Sequence, residues 1–479
     1  MDAVGSEIET DGGEAAPLDA TLLAPLPEPL SVGAGTVLYL EGRCDPRAEP
    51  GSLEVRLGSL RGAVAAERGD AAGGRRWWAL LDVPAGFPEG ETELSLCARL
   101  SGRPVAAPLG SITTVTADPG LAPPAPSVVT GGGRPLIAIC MATHEPDPGR
   151  LERQLDSIRD QDWPSWVCVI SDDASSTERF AELQRLCAED ERFVVSRSET
   201  RLGFYRNFER ALRMTPIEAD YVALCDQDDA WASDKLSALH ATFAERPEVK
   251  LAYSDMRIVD ERGEVVSDTY WILRRNRWDD VISLLVANTV TGAASLFRRE
   301  LLADALPFPP PVAEPYHDHW LALCALAAGE LAYLDRPTYD RTRHLGSVTD
   351  HTRHAAALRA MREGHEAEAA TSIAAPDSWA RRRDPADLYR GSYLQLAQFA
   401  RVAELRIGDR IGPPKRRALR RFARAERSLL GPAWLALRSL RPLVGRNETL
   451  GRERALAAAL LWSRLRPRSA AAVGPDQDS

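Results

Sequence analysis

Between residues 136 and 243, short and continuously apolar runs alternate with amphipathic helical patterns, and no other feature of the chain constrains its fold as much. The runs Leu136 to Met141, Trp166 to Ile170, Phe193 to Ser196 and Tyr221 to Cys225 read as strands. Pro148 to Gln161, Ser176 to Cys187, Phe204 to Met214 and Ser233 to Phe243 read as helices. A strand that is apolar on both faces has to be covered on both, so the pattern predicts a parallel sheet between layers of helices. Ligands of such sheets bind beyond the carboxyl ends of the strands. Chemistry is therefore expected just after Met141, Ile170 and Leu224.

Acid pairs stand at two of those places. Ser171-Asp172-Asp173-Ala174-Ser175-Ser176 follows one strand, and Cys225-Asp226-Gln227-Asp228-Asp229-Ala230-Trp231 ends another. Either pair alone reads as a helix cap or turn, positions that Asp and Ser favour. Both together, at the ends of strands in one sheet, bring carboxylates into one crevice where they repel. A Mg²⁺ or Mn²⁺ ion held by one or two carboxylates and by phosphate oxygens resolves that repulsion. An EF-hand starting at Asp226 fails, because Trp231 and Ser237 occupy the positions that need Gly and Glu.

Ile137-Ala138-Ile139-Cys140-Met141-Ala142-Thr143, then Leu155, Ser157 and Gln161, then Val169 to Ser175, resemble the opening of family 2 glycosyltransferases. Leu202-Gly203-Phe204 with Asn207, and Asp226-Gln227-Asp228-Asp229-Ala230-Trp231 with Lys235, continue the resemblance in order over roughly residues 135 to 350. The Asp-Gln-Asp-Asp-x-Trp form resembles the branch that builds bacterial surface polysaccharides. The resemblance implies a GT-A fold, a mixed and mostly parallel α/β sheet with flanking helices. It also implies a nucleotide-sugar site of Thr143, Glu145, Asp172, Asp173, Asn207 and Asp226, with Asp173, alone or with Asp172, on the base. Asp226 and Asp228 match the family's D-x-D, Asp226 toward ribose and metal and Asp228 on the metal. Asp318, in Tyr316-His317-Asp318-His319-Trp320, is expected as the catalytic base, and it follows Asn288, Thr291 and Gly292, which resemble the acceptor-side strand. Tyr339-Asp340-Arg341-Thr342-Arg343-His344 resembles a loop that closes over the diphosphate, with His344 on metal or phosphate and Arg341 or Arg343 supplying positive charge. His317 and His319 do not make a metal pair, since i and i+2 on a helix point apart.

The activity implied is that of an inverting, metal-dependent hexosyl- or deoxyhexosyl-transferase. It moves a sugar from a nucleotide-diphosphate sugar to a hydroxyl of a glycan or lipid-linked acceptor in cell-surface polysaccharide synthesis. The rival reading is a catalytically silent scaffold or glycan-binding partner in a polysaccharide assembly complex, which would usually have lost Asp228 or Asp318. A sugar nucleotidyltransferase would carry a Gly-rich, basic loop where Thr143-His144-Glu145-Pro146 stands.

At 479 residues the chain has room for two or three domains. Residues 1–18 read as a disordered acidic tail, 19–117 as a small β-rich sandwich and 118–134, rich in Pro and then Gly, as a linker. Residues 135–350 form the GT-A unit, 351–468 a helical basic region, and 469–479 a tail. The seven cysteines are scattered and never paired as C-x-x-C, which argues against a disulfide framework or zinc cluster. The net charge of −10 hides an asymmetry, for Arg401 to Arg468 holds 18 basic and 5 acidic residues. Lys415 to Arg424 interleaves charge with Leu419 and Phe422 at helical spacing, a pattern that would suit an anionic bilayer. With no stacking-aromatic motif beside the arginines, nucleic acid is not an expected partner. The acidic start and the lack of a long apolar run place the chain in the cytoplasm, with peripheral contact at the inner face of the membrane through the basic helices.

Overall fold

The computed structural model describes residues 17–67, 74–116, 133–342 and 384–465, apart from 245, 261, 272–274, 429, 442–447 and 450. Most of the acidic tail, most of the Pro/Gly linker, the C-terminal tail and His344 lie outside the described residues.

The first part is all β: β1 (Ala20–Leu22), β2 (Leu30–Ser31), β3 (Gly35–Cys44), β4 (Glu54–Leu57), β5 (Leu60–Ala66), β6 (Arg75–Pro84), β7 (Gly90–Leu100) and β8 (Arg103–Val115). Their order is β1-β3-β6-β5-β4-β7-β8-β2. β5 pairs with β4 through Leu60 to Ala63 and with β6 through Val64 to Ala66, so it carries the sheet around a corner and over its own core. Leu40, Val55, Trp77, Leu81, Leu94 and Leu96 fill that core. Its density leaves no room for a side chain at Gly42, where a Cβ would stand 2.2 Å from the Thr21 carbonyl oxygen and 2.5 Å from the Trp77 ring. Pro108 is tolerated in β8 because it sits where the register against β7 slips.

The second part is the α/β unit. It contains β9 (Ile137–Thr143), α1 (Pro148–Arg159), β10 (Trp166–Asp172), α2 (Thr177–Cys187), β11 (Phe193–Arg197), α3 (Phe204–Arg213), β12 (Tyr221–Cys225), β13 (Ala230–Trp231) and α4 (Lys235–Ala241). These agree with the predicted strands and helices to within a few residues. β14 (Val249–Val259), β15 (Val265–Ser267), α5 (Val281–Val286), β16 (Ser295–Arg298), α6 (Leu302–Ala305), α7 (His317–Ala328) and β17 (Glu330–Thr342) complete it. The sheet order is β11-β10-β9-β12-β16-β14-β17-β13, with β15 on β14. β9, β10, β11, β12, β14 and β17 run one way, and β13, β15 and β16 the other. This is the mixed, mostly parallel sheet of the GT-A type. Asn288 and Thr291, expected in a strand, instead lie in the irregular segment between α5 and β16.

The third part is helical: α8 (Pro385–Leu388), α9 (Leu394–Ile407), α10 (Pro413–Ala423), α11 (Leu430–Arg438) and α12 (Arg452–Leu465). α9 is the strut between the other two parts. Gln398 donates to Val37 O at 2.7 Å on the β side and to Pro310 O at 2.9 Å on the α/β side. Arg406 does the same with Gly35 O at 2.7 Å and with Asp304 O and Ala305 O at 3.1 and 3.0 Å. Burial pulls the Arg406 pKa down to about 10. Trp77 and Trp78 face opposite sides of β6, and both are buried: Trp77 in the sandwich core, Trp78 against Tyr389 with ring centroids 5.7 Å apart. Neither offers a face on which a sugar could stack.

Arg406→Met should strand three buried carbonyls and lower the unfolding free energy by about 2–4 kcal/mol. Denaturant midpoints of the parent and the variant check this, and equal midpoints would contradict the strut.

Candidate active site

β9 and β10 end side by side, with Thr143 opposite Asp172, and Cys225 at the end of β12 lies opposite Met141. Here the acids of the first pair turn inward. Asp172 is fully buried and accepts from Thr143 Oγ1 at 3.1 Å, Ser175 Oγ at 2.6 Å and Ser175 N at 3.0 Å, with Arg197 at 3.8 Å. Asp173 accepts from the backbone amides of Leu202 and Gly203 at 2.5 and 2.9 Å, which pins the loop leading into α3. Gly203 has φ +78, a conformation that suits glycine. Asn207 receives Ser171 Oγ at 2.6 Å and donates to Thr143 O and Ser171 O at 3.2 and 2.9 Å. One helical turn on, Arg210 donates to Ser171 Oγ at 2.8 Å and to Ser196 Oγ at 2.6 Å. Glu145 accepts from Ser176 N and Oγ at 2.5 and 3.1 Å and thereby caps α2. Thr143, Asp172 and Asn207 spend their side-chain polar groups within a network that includes Ser171 and Ser175 and fixes the backbone at this strand end. Glu145 (φ 44) and Ala174 (φ 53) hold the left-handed conformation at this rim, a strain that clusters at functional sites.

The second acid group faces the crevice. Gln227 accepts from His144 N at 2.8 Å and donates to His144 O at 3.1 Å, tying the acid loop to the end of β9. Asp226 has its pKa pushed up to about 6, first by burial and then by Asp228. Asp229 is displaced upward as well by burial, Asp226 and Asp228, and its buried Oδ2 has no hydrogen-bond partner. Among the described residues, Lys235 and Arg341 answer this charge. Lys235, fully buried, donates to Ala293 O and stands 3.7 Å from the Trp231 ring centroid; burial draws its pKa down to about 7. Arg341 is half-buried, and although burial opposes its charge, Tyr339, Asp229 and Asp226 hold its pKa above the ordinary guanidinium value. Arg153 of α1 donates to Thr342 Oγ1 at 2.7 Å and stands 3.5 Å from Asp228 O, under the acid loop.

Asp318 reaches this crevice from the other half. At the first turn of α7, it accepts from Asn288 Nδ2 at 3.1 Å and Gly292 N at 3.2 Å. Burial pushes its pKa up to about 6, and Asp226 is among the groups that raise it. A Cβ at Gly292 would lie 2.9 Å from His317 Nε2 and 3.4 Å from Asp318 Cβ, so glycine here lets the backbone amide approach the carboxylate. His317 stacks on Phe208 at 3.7 Å and burial lowers its pKa to about 3, while His319 contacts Leu284 O at 3.0 Å. The two histidines diverge, as their spacing implies. The sequence reading gave no role to Gln227, Asp229, Arg153 or Arg210. Asp229 was legible in principle as a third acid on the same turn, whereas the other three act through long-range contacts that no local pattern encodes.

Residues 138–306 match the family model described as glycosyl transferase family 2. Over 139 residues the chain is 27% identical to the O-antigen biosynthesis protein RfbC of Myxococcus xanthus, covering 27% of this chain and 10% of that protein. It is 22% identical over 136 residues to an uncharacterized glycosyltransferase of Methanocaldococcus jannaschii, covering 28% of this chain and 46% of that one. An uncharacterized protein of Sinorhizobium fredii, y4gI, is 27% identical over 130 residues, 27% of this chain and 14% of its own length. The chain thus spans less than half the length of these relatives. Among solved structures it is similar to S. aureus TarS 1–349 in complex with UDP-GlcNAc, with TM-score 0.39, 16% identity and 69% and 92% of the two chains covered. The mannosyltransferase PcManGT from Pyrobaculum calidifontis, in complex with GDP-Man and Mn²⁺, gives TM-score 0.36, 21% identity and coverage of 72% and 92%.

The two acid groups should respond oppositely to substitution. Asp172→Ala empties a buried hydrogen-bonded node and should lower the unfolding free energy by about 3 kcal/mol. Asp228→Asn removes one of the charges raising Asp226 and should leave stability unchanged or higher. Denaturant titration of both variants checks this, and an Asp172→Ala protein as stable as its parent would contradict the scaffold role.

Proposed function

We propose that the chain is an inverting glycosyltransferase that moves a sugar from a nucleotide-diphosphate sugar to an acceptor hydroxyl, with Asp318 as general base. One observation carries this reading: a half-buried acid from beyond the donor half lies close enough to the strand-end acids for Asp226 to raise it, is held by two hydrogen bonds, and has its pKa pushed up to about 6. The donor lies along the rim built by β9, β10 and β12, with its base toward Asp173 and its ribose toward Asp226. The acceptor hydroxyl approaches from the α7 side and gives its proton to the Asp318 carboxylate, held in one orientation by Asn288 and the Gly292 amide. The oxygen then attacks the anomeric carbon opposite the leaving diphosphate, which inverts the configuration. Arg341 and Lys235 lie where charge on that diphosphate would grow, and preorganised positive charge is worth most in such a dry site.

A divalent cation, Mg²⁺ or Mn²⁺, fits the donor set. Asp226 is raised by burial and then by its neighbour Asp228, and the Asp229 Oδ2 is a buried acceptor without a partner, so the cluster is short of positive charge. Asp226 and Asp228 would hold the ion together with phosphate oxygens, and when bound it would neutralise charge on the departing diphosphate. His344 is proposed as a further ligand from the family resemblance. Among the described residues no group of three or more His, Cys, Asp or Glu is gathered for a metal ion.

A glycan or lipid-linked acceptor in bacterial surface-polysaccharide synthesis is supported by the likeness to RfbC. The cytoplasm suits such a donor, and no helix among the described residues is long and apolar enough to cross a membrane.

A panel of sugar nucleotides with Mn²⁺, read by thermal shift and diphosphate release, identifies the donor. With it, Asp318→Asn should cost about 10² to 10⁴ in turnover with donor affinity nearly unchanged. Because the base works only when ionised and its pKa stands at about 6, turnover in the parent should fall as pH drops through about 6. Loss of less than tenfold in the variant would withdraw the assignment.

A further inference from the structure

The C-terminal helices present a surface that glycosyl transfer does not use. α11 and α12 lie antiparallel: Arg438 reaches Glu453 at 3.8 Å at one end, and Arg464 donates to Glu426 O at 2.7 Å at the other. Their inner faces belong to one core cluster through Leu435, Leu456 and Leu460. Their outer faces carry leucine. On α11 and its continuation Leu430, Leu437 and Leu440 are 72%, 67% and 53% exposed, at spacings of seven and three. On α12 Leu461 and Leu465 are 49% and 83% exposed, four residues apart. The hairpin thus turns two leucine stripes outward.

The charge around it is one-sided. Residues 413–465 contain 13 basic and 3 acidic residues. Glu448 and Glu453 are buried, and Glu426 accepts from Tyr389 Oη at 2.5 Å. All three acids therefore face inward or are engaged, while Arg424 and Arg454, at opposite ends of the hairpin, are exposed without an acidic partner among the described residues. A second copy of this face would bring like charge against like charge. Nucleic acid would use the arginines but leave the leucines in water. An anionic bilayer satisfies both, since leucine enters the acyl boundary while arginine stays at the phosphates. The surface differs from the one expected on α10, whose Leu419 and Phe422 are 1% and 0% exposed and packed inward.

We propose that the outer face of the α11–α12 hairpin docks on an anionic lipid surface. This inference does not rest on the transferase reading, and its test reads binding rather than activity. The full chain is sedimented with vesicles of phosphatidylcholine alone and of phosphatidylcholine mixed with phosphatidylglycerol, at low and at physiological salt. Binding is expected only to the mixed vesicles, weakening as salt rises. Leu437→Glu with Leu461→Glu should cost roughly tenfold per leucine. Arg424→Glu with Arg454→Glu should cost at least about fivefold per site. Ile217→Glu, 73% exposed but on the α/β unit, should bind like the parent. Should the first pair fail to fold, Leu430→Glu with Leu465→Glu tests the same face. Absence of binding to mixed vesicles at low salt, or equal binding by the leucine variants, would overturn the proposal. So would a parent dimer dispersed by Leu437→Glu, which would give the face to a second copy.

Discussion

The site depends on carboxylates held closer together than they would choose to be. A mostly parallel sheet ends its strands on one edge, and this sequence places Asp172 and Asp173 at the end of β10 and Asp226, Asp228 and Asp229 after the end of β12, with β9 between the two strands. Charge gathered in this way is tolerable only if it is spent on hydrogen bonds or answered by cations. The structure does both. In the first group Asp172 is consumed by hydroxyls and an amide and becomes scaffold; in the second Asp226 and Asp229 have raised pKa values, and Lys235 and Arg341 oppose their charge. That imbalance is what the proposed divalent cation would relieve.

The rest of the molecule serves the placement of Asp318. α7 can bring this acid toward the strand-end acids only if its first turn packs against Gly292 and Phe208, and α9 in turn packs on α7. α9 also joins the β sandwich through Gln398 and Arg406, so the β sandwich is coupled to α7 through α9 and these buried polar groups.

How much of this was legible in the sequence varies with the range of the interactions. The strands and helices from Ile137 to Ala241 were readable because their apolar period is local, and the acids could be located because strand ends are where such sheets bind ligands. β5 was not, since Leu60 to Ala66 offers Gly, Ala and Arg and pairs by its position between β4 and β6 rather than by propensity. Which Asp faces solvent and which is scaffold was not readable either: Asp172 and Asp226 look alike in sequence and differ only in the partners that folding brings to them. Likewise the amphipathic pattern of α10 was real, but its apolar face meets the protein core, and the exposed leucines belong to the helices that follow.

Titrating the protein with Mn²⁺ and following the ion's paramagnetic resonance, with and without a nucleoside diphosphate, tests the central claim most directly. The account predicts weak binding of the ion alone, tighter binding when the nucleoside diphosphate is present, the reciprocal gain for the nucleotide, and loss of both in Asp228→Asn. Mn²⁺ affinity that ignores the nucleotide, or that survives in Asp228→Asn, would contradict it.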